Sequence, residues 1–238
     1  MIIGNGSNLV FASNYDGILI KLNKFNNISY KDNIVTVGSG YSLIKLAYET
    51  ANLGLSGLEF ASGIPGVIGG AIYMNAGAYN KSMSDIIISV KTLNNSLDVI
   101  ILYPKELDFS YRHSFFQNNK DYIILEVTIQ LENAPINDII NVINERKQRR
   151  LNSQPLEYPN AGSIFRNPDS DYAGRLIEEL GYKGKSFGDL EISSKHANFI
   201  INKGHASGIE IKNLIYKIKD DVKLNYDIDL IIEQEIIE

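Results

Sequence analysis

The chain has 238 residues, 44% of them apolar and 21% charged, and a formal charge of −5, enough apolar content for one large or two modest domains with real cores and no sign of disorder. It has no cysteine and three scattered histidines, His113, His196 and His205, which excludes disulfides, thiolate metal sites and cysteine nucleophiles and leaves no metal-ligand spacing, so no metal is expected. The acidic balance argues against nonspecific nucleic-acid binding, no apolar run is long enough to span a bilayer, and the opening Met1-Ile2-Ile3-Gly4 lacks the pattern of a secretory signal, so a cytoplasmic protein is expected.

In chain order, Ile2-Ile3 runs into Gly4-Asn5-Gly6-Ser7-Asn8-Leu9. Two glycines around an asparagine can turn successive backbone N–H groups inward as a nest for a phosphate, and an Asn-Gly hairpin turn explains the same residues equally well. A Rossmann fingerprint does not fit, because a strand-like run at 17–22 follows where a helix should open. A short strand at 34–37 ends in Gly38-Ser39-Gly40, and Ser42 begins an amphipathic helix with Leu43, Leu46, Ala47 and Ala51 on one side and Gly54 as its stop. The stretch 62–79 holds Gly63-Ile64-Pro65-Gly66, Gly69-Gly70-Ala71 and Asn75-Ala76-Gly77. Each glycine weakens a regular element by about 0.5–1 kcal/mol relative to alanine, so close approach must offset the loss: either a flat cofactor lies on bare backbone, or two chain segments pack tightly.

The runs 85–93 and 97–102 read as a hairpin around Asn94-Asn95-Ser96, with a further strand at 122–131. Between them, Tyr111-Arg112 sits among Phe109, Phe115 and Phe116. A guanidinium in an aromatic setting suits a planar carboxylate, although a surface cation resting on a ring is the commoner cause of such a pattern. A boundary near 132–135 divides the chain into 1–131 and 132–238. Asn137 then caps a helix with Ile139, Ile140 and Ile143 inward, ending in Arg146-Lys147-Gln148-Arg149-Arg150. These cations complement the helix dipole or meet a diphosphate.

The segment 157–168 fits neither periodicity. Two prolines bracket Asn160, Ala161-Gly162, the hydroxyl of Ser163, apolar Ile164 and Phe165, and then Arg166 and Asn167. Small residues allow close approach to backbone while the apolar pair anchors the loop, as in a ligand loop, and an ordinary surface turn has much the same composition. A second helix over 171–180 is capped by Asp171 and stopped by Gly181. Strand-like runs follow at 190–192 and 198–201. Ser207 and Glu210 form a capping box before a helix with Ile211, Leu214, Ile215, Ile218 and Val222 as its core stripe. A last strand over 228–237 carries Glu233 and Glu235 on one face beside Ile231 and Ile237, the usual protection of an edge against aggregation.

Together these residues resemble the FAD-dependent UDP-N-acetylenolpyruvylglucosamine reductases, which make UDP-N-acetylmuramate for bacterial peptidoglycan. The likeness covers essentially the whole chain. It is carried by 4–9, 63–71, 75–78, Tyr111-Arg112, 146–155, 158–165, the Lys195-His196-Ala197-Asn198-Phe199-Ile200-Ile201-Asn202 run and Glu233-Gln234-Glu235. The run 154–163 looks like the second, short-loop type of the family. The resemblance implies an α+β fold, with an FAD-binding domain of the vanillyl-alcohol-oxidase (PCMH) type over 1–131 and a smaller α+β substrate-binding domain over 132–238. The first is expected to be N-terminally incomplete, since family members carry a segment before the Gly-Asn-Gly-Ser-Asn turn.

By the same resemblance, FAD is held by Gly4, Asn5, Gly6, Ser7, Asn8, Leu9, Gly63, Ile64, Pro65, Gly66, Gly69, Gly70, Ala71, Asn75 and Gly77. Tyr111, Arg149, Arg150 and Asn167 hold the substrate, and Arg112, Ser163 and Glu235 are catalytic. The implied course is ping-pong: NADPH reduces the flavin and leaves, the UDP-sugar enolpyruvyl ether enters the same cleft, and flavin N5 passes a hydride to the vinyl carbon. Charge then grows on the neighbouring carbon and its carboxylate. Arg112 holds that carboxylate, Ser163 donates the proton, and Glu235, protonated or through a water, supports the same oxygens. A monomer acting on a small molecule, with no nucleic-acid or membrane partner, is expected. Two other readings remain: a flavin oxidase of the same fold acting on a small alcohol or sugar, and a non-catalytic remnant that binds a UDP-sugar. The glycine-rich loop has no histidine for covalent flavin attachment, which speaks against the oxidase; the absent N-terminal segment supports the remnant.

Overall fold

The computed structural model describes residues 1–238, an α+β chain. It divides into two compact units, Met1–Asn5 with Ile18–Gln148, and Gly6–Gly17 with Arg149–Glu238. The first unit is built on an antiparallel sheet of β1 (Ile28–Lys31), β2 (Ile34–Gly38), β3 (Ile87–Leu93), β4 (Val99–Leu102) and β5 (Ile123–Gln130), in the order β4-β3-β5-β2-β1. Alternation sets its buried face. Val127 lies across from Val37 on one side and Val90 on the other, and all three are fully buried. They share a core with Leu43, Leu46 and Ala47 of α1 (Leu43–Asn52), where each fully buried Val or Leu side chain is worth about 1.5–3 kcal/mol. Ser42 caps α1 as its sequence position predicts, accepting from the Lys45 N–H at 3.3 Å.

The glycine-rich stretch contains a helix after all, α2 (Ile68–Tyr73). Gly69 is inside it because a Cβ there would lie 3.1 Å from the Ser39 Cβ, the tight packing of two segments foreseen as one explanation. A short α3 (Phe115–Asn118) follows the arginine turn. The expected boundary after Leu131 differs from the compact division. Glu132–Asn133 pairs with Leu55–Ser56, and Ile139 and Ile143 of α4 (Ile136–Ser153) pack on Ala51, so contacts far back in the chain keep 132–148 in the first unit. Asn137 is not a cap: α4 starts one residue earlier, at Ile136, directly after Pro135.

Gly38 marks a close crossing. Its N–H donates to the Asn27 carbonyl at 2.9 Å, and a Cβ there would stand 2.2 Å from the Phe25 carbonyl oxygen. Because backbone cannot swing aside as a side-chain tip does, Gly38→Ala is expected to cost about 1–3 kcal/mol and lower the melting temperature by roughly 2–12 °C. Gly70→Ala, whose Cβ meets nothing within 4 Å, is the control and should melt no lower than the parent. Thermal unfolding of the two variants checks the difference.

In the second unit β6 (Ser186–Phe187), β7 (Leu190–Ile192) and β8 (Ile200–Asn202) form a small antiparallel sheet. Its core joins Ile164, Phe165, Leu176 and Ile177 to Leu214, Ile215, Ile218 and Val222 of α6 (Gly208–Tyr226), with Ile211 partly buried against it. The Ser207–Glu210 capping box forms as predicted. Asp171 does not cap α5 (Ala173–Glu179); that helix opens after Tyr172, Asp171 pairs with Arg175, and the Asn167 Oδ1 accepts from the Ala173 N–H at 3.1 Å. Pairing with Arg175 holds the Asp171 carboxyl down at about 2. The long final strand is also corrected: only Glu235–Ile237 is regular, parallel to Leu9–Phe11. Residues 228–234 stay irregular because their backbone serves another loop, with Arg166 N–H on the Ile231 carbonyl and Glu233 N–H on the Ile164 carbonyl. The 17–22 run shortens likewise to Ile20–Lys21, parallel to Ile2–Ile3.

Candidate active site

The turn 4–9 joins no hairpin, since Ile2–Ile3 pairs with Ile20–Lys21 and Leu9–Phe11 with Glu235–Ile237. In the first unit Gly4 lies against the glycine loop, where a Cβ would stand 2.9 Å from a Val67 methyl. Two of the expected flavin segments are therefore neighbours there. A diphosphate needs N–H donors that the chain has not already used. No hydrogen bond within the chain engages the N–H groups of Gly63 and Gly66, and Gly70 faces open space, so the loop fits the diphosphate of FAD. Ile64 packs on the first core, Pro65 is exposed and Ala71 is buried. Asn75 is 5% exposed with its amide spent inside the chain: Nδ2 donates to the Ser110 carbonyl at 2.9 Å and Oδ1 accepts from the Ser84 N–H at 3.0 Å.

Arg112 is the third residue of a four-residue turn closed by mutual backbone bonds between Ser110 and His113, 3.1 and 3.2 Å long. Its φ of 56° is left-handed. The guanidinium donates through Nη2 to the Gly77 carbonyl at 2.8 Å and lies 5.1 Å from the ring centre of exposed Tyr111. The surface cation on a ring and the oriented guanidinium are thus one arrangement. A planar cation whose backbone and one nitrogen are both held is suited to a carboxylate.

In the second unit Gly6 and Gly162 both take left-handed backbone, at φ 73° and 77°, with open space where a Cβ would project. Ser163 follows Gly162 on a loop held from several sides. Asn160 Oδ1 accepts from the Gly162 N–H at 3.0 Å. Asn198, 3% exposed, accepts from the Phe165 N–H at 3.0 Å and donates to its carbonyl at 2.8 Å, imitating a paired strand. Gln234 donates to the Ala161 and Gly162 carbonyls at 3.2 and 3.3 Å. The next residue, Glu235, donates its N–H to the Asn8 carbonyl at 2.9 Å, and Asn8 Nδ2 returns to the Glu233 carbonyl at 3.0 Å. The Ser163 loop, the Glu235 strand and the 6–9 part of the first turn are therefore stitched together, with Leu9 opposite Glu235. Burial pushes the His196 imidazole below its usual range, and its Nδ1 accepts from the Asn198 N–H at 3.2 Å. Arg149 is exposed and Arg150 half-buried in the last turns of α4. Exposed Asn167 spends its Oδ1 on α5, leaving Nδ2 as its outward donor.

Sequence reasoning gave no role to Gln117, Asn198 or Gln234. Asn198 left a usable signal: a polar residue among apolar neighbours, Ala197, Phe199, Ile200 and Ile201, all buried, is a buried amide that must find partners.

A model of an FAD binding domain matches residues 1–100, and a model of the UDP-N-acetylenolpyruvoylglucosamine reductase C-terminal domain matches 154–237. The UDP-N-acetylenolpyruvoylglucosamine reductase of Clostridium kluyveri is 46% identical over 237 residues, 99% of this chain and 78% of that protein. The reductase of Bacillus subtilis is 42% identical over 238 residues, again 99% and 78% of the two chains. The crystal structure of UDP-N-acetylenolpyruvylglucosamine reductase from Thermus caldophilus superposes with a TM-score of 0.85 at 33% identity, covering 100% of this chain and 85% of that one. The chain belongs to the UDP-N-acetylenolpyruvoylglucosamine reductase family and is an FAD-dependent oxidoreductase.

Proposed function

We propose that the chain reduces UDP-N-acetylglucosamine enolpyruvate to UDP-N-acetylmuramate with NADPH as reductant, as a cytoplasmic, monomeric enzyme of peptidoglycan precursor synthesis. The observation that carries this reading is the identity of 42–46% to reductases over 99% of the chain. Those relatives do not favour the oxidase or the non-catalytic remnant. Functionally, 1–131 serves the flavin and 132–238 the substrate, with the 4–9 turn, the 63–71 loop, Asn75 and Gly77 around the cofactor.

FAD, when bound, supplies the hydride that adds to the methylene carbon of the enolpyruvyl group. The chain's own residues handle what that addition leaves behind. The electron pair of the double bond moves to the ether-bearing carbon and spreads into the carboxylate, which gains negative charge. Arg112, oriented by its turn and by the Gly77 carbonyl, holds that carboxylate as the charge grows, an interaction stronger in the transition state than before it. Ser163 gives its proton to the ether-bearing carbon. A hydroxyl is a weak acid, but the carbanion is a far stronger base, so the transfer runs downhill. Glu235 supports the same oxygens, and Tyr111, Arg149, Arg150 and Asn167 hold the rest of the sugar nucleotide.

The purified chain supplied with FAD should show visible flavin absorbance, bleach with NADPH, and regain its colour on addition of the enolpyruvyl substrate. Bleaching without substrate-dependent recovery would overturn the reading.

A further inference from the structure

Arg112 holds a backbone conformation that its side chain does not favour. Only it, and not Tyr111, has positive φ in the Ser110–His113 turn, the pattern of a type II turn whose third position prefers glycine or asparagine. Such a residue persists only where its surroundings over-determine it. Gln117, half-buried on α3, supplies one such constraint. Its Nε2 donates to the Arg112 carbonyl at 2.9 Å and to the Tyr73 carbonyl at 3.0 Å, and its Oε1 lies 3.3 Å from His113 Nδ1. Two carbonyls can only accept, so they fix which end of the amide is nitrogen; Oε1 can only accept too, so Nδ1 is the donor to it. One side chain thus ties two successive turn residues to the end of α2. Ser114 Oγ donates to the same Tyr73 carbonyl at 2.7 Å, and Asn75 anchors Ser110, so the frame around the clamp is itself rigid.

We infer that Gln117 is the positioning residue of this reductase for Arg112: its amide holds the left-handed turn that aims the guanidinium at the substrate carboxylate. The inference rests on the proposed role of Arg112. It assigns Gln117 no contact with substrate or flavin, so its effect passes only through the arginine.

The test compares Gln117→Ala and the volume-conserving Gln117→Met in stopped-flow measurements of the two half-reactions on flavin-loaded protein. Reoxidation of reduced enzyme by UDP-N-acetylglucosamine enolpyruvate should slow by about 10- to 100-fold, the scale of a small misplacement of a reacting group. Reduction by NADPH should stay within about twofold, because only the second half-reaction uses Arg112. In an Arg112→Ala background the same Gln117 changes should add almost nothing. Parallel loss in both half-reactions, unchanged reoxidation in both variants, or losses that add to Arg112→Ala would each overturn the clamp. Normal reoxidation by Arg112→Ala alone would sink the reading of Arg112 itself, whereas a crippled Arg112→Ala beside a normal Gln117→Ala would sink only the role of Gln117.

Discussion

Ser163→Ala is expected to leave flavin reduction by NADPH nearly unchanged while slowing formation of UDP-N-acetylmuramate by about 10²- to 10⁴-fold, the usual contribution of a positioned proton donor. The asymmetry follows from the order of events. Hydride transfer into the flavin needs no proton from the protein side chain, and only the enolate-like species left after hydride addition does. The loop should survive the change, because it is held by Asn160, Asn198, Gln234 and the Glu233 N–H rather than by the Ser163 hydroxyl. A melting temperature close to that of the parent would separate lost chemistry from lost structure. Equal slowing of both half-reactions would remove Ser163 from the role of acid and make it a general support of the cleft.

What could be read from the sequence was local. The first helix announced itself through Ser42 and the spacing of Leu43, Leu46, Ala47 and Ala51, which are all fully or almost fully buried. The last helix did so through Ser207 and Glu210, and Gly54 and Gly181, with φ of 72° and 70°, end helices as glycines at such positions do. Misreadings came where a partner distant in sequence decides the outcome. Apolar alternation over 228–237 looks like a strand, yet the Ile231 carbonyl and the Glu233 N–H are recruited by the 161–166 loop some seventy residues earlier, and the Gln234 side chain adds a bond to the Gly162 carbonyl across 72 positions. Residues 132–148 follow a polar, proline-containing break, yet Ile139 and Ile143 of their helix pack with Ala51 and Tyr48, so they stay with the first compact unit. The candidate site was legible as residue types in a known order. The amides that hold it were not, because Gln117 and Asn198 owe their importance to carbonyls that only the fold brings near.

Asn198→Leu is expected to be the most destabilising single change in the second unit. Leucine shares the branched outline of asparagine but is the larger side chain, so overpacking adds to any cost, whereas hydrophobicity alone among these apolar neighbours would predict a favourable effect. The hydrogen bonds predict the opposite. Phe165 is 1% exposed, and both its N–H and its carbonyl are paired by the Asn198 amide. Leaving each without a partner costs about 1–3 kcal/mol, together about 2–6 kcal/mol, and should lower the melting temperature by roughly 4–24 °C. A fall of less than about 2 °C in thermal unfolding would mean that Phe165 finds other partners and that the amide is no clamp. Asn198→Asp separates the two bonds. An ionised carboxylate can still accept from the Phe165 N–H, but it cannot donate to the carbonyl and it buries a charge, so folding should favour the protonated acid and raise its pKa above the unfolded value of about 3.9. The protonated acid restores one donor and one acceptor in the shape of the amide. Its stability relative to the parent should therefore be recovered fully below the unfolded pKa and lost as pH rises through the folded one, the reverse of the usual acid denaturation. Because the same amide fixes the backbone two residues beyond Ser163, product formation by Asn198→Asp should follow that pH dependence while flavin reduction does not.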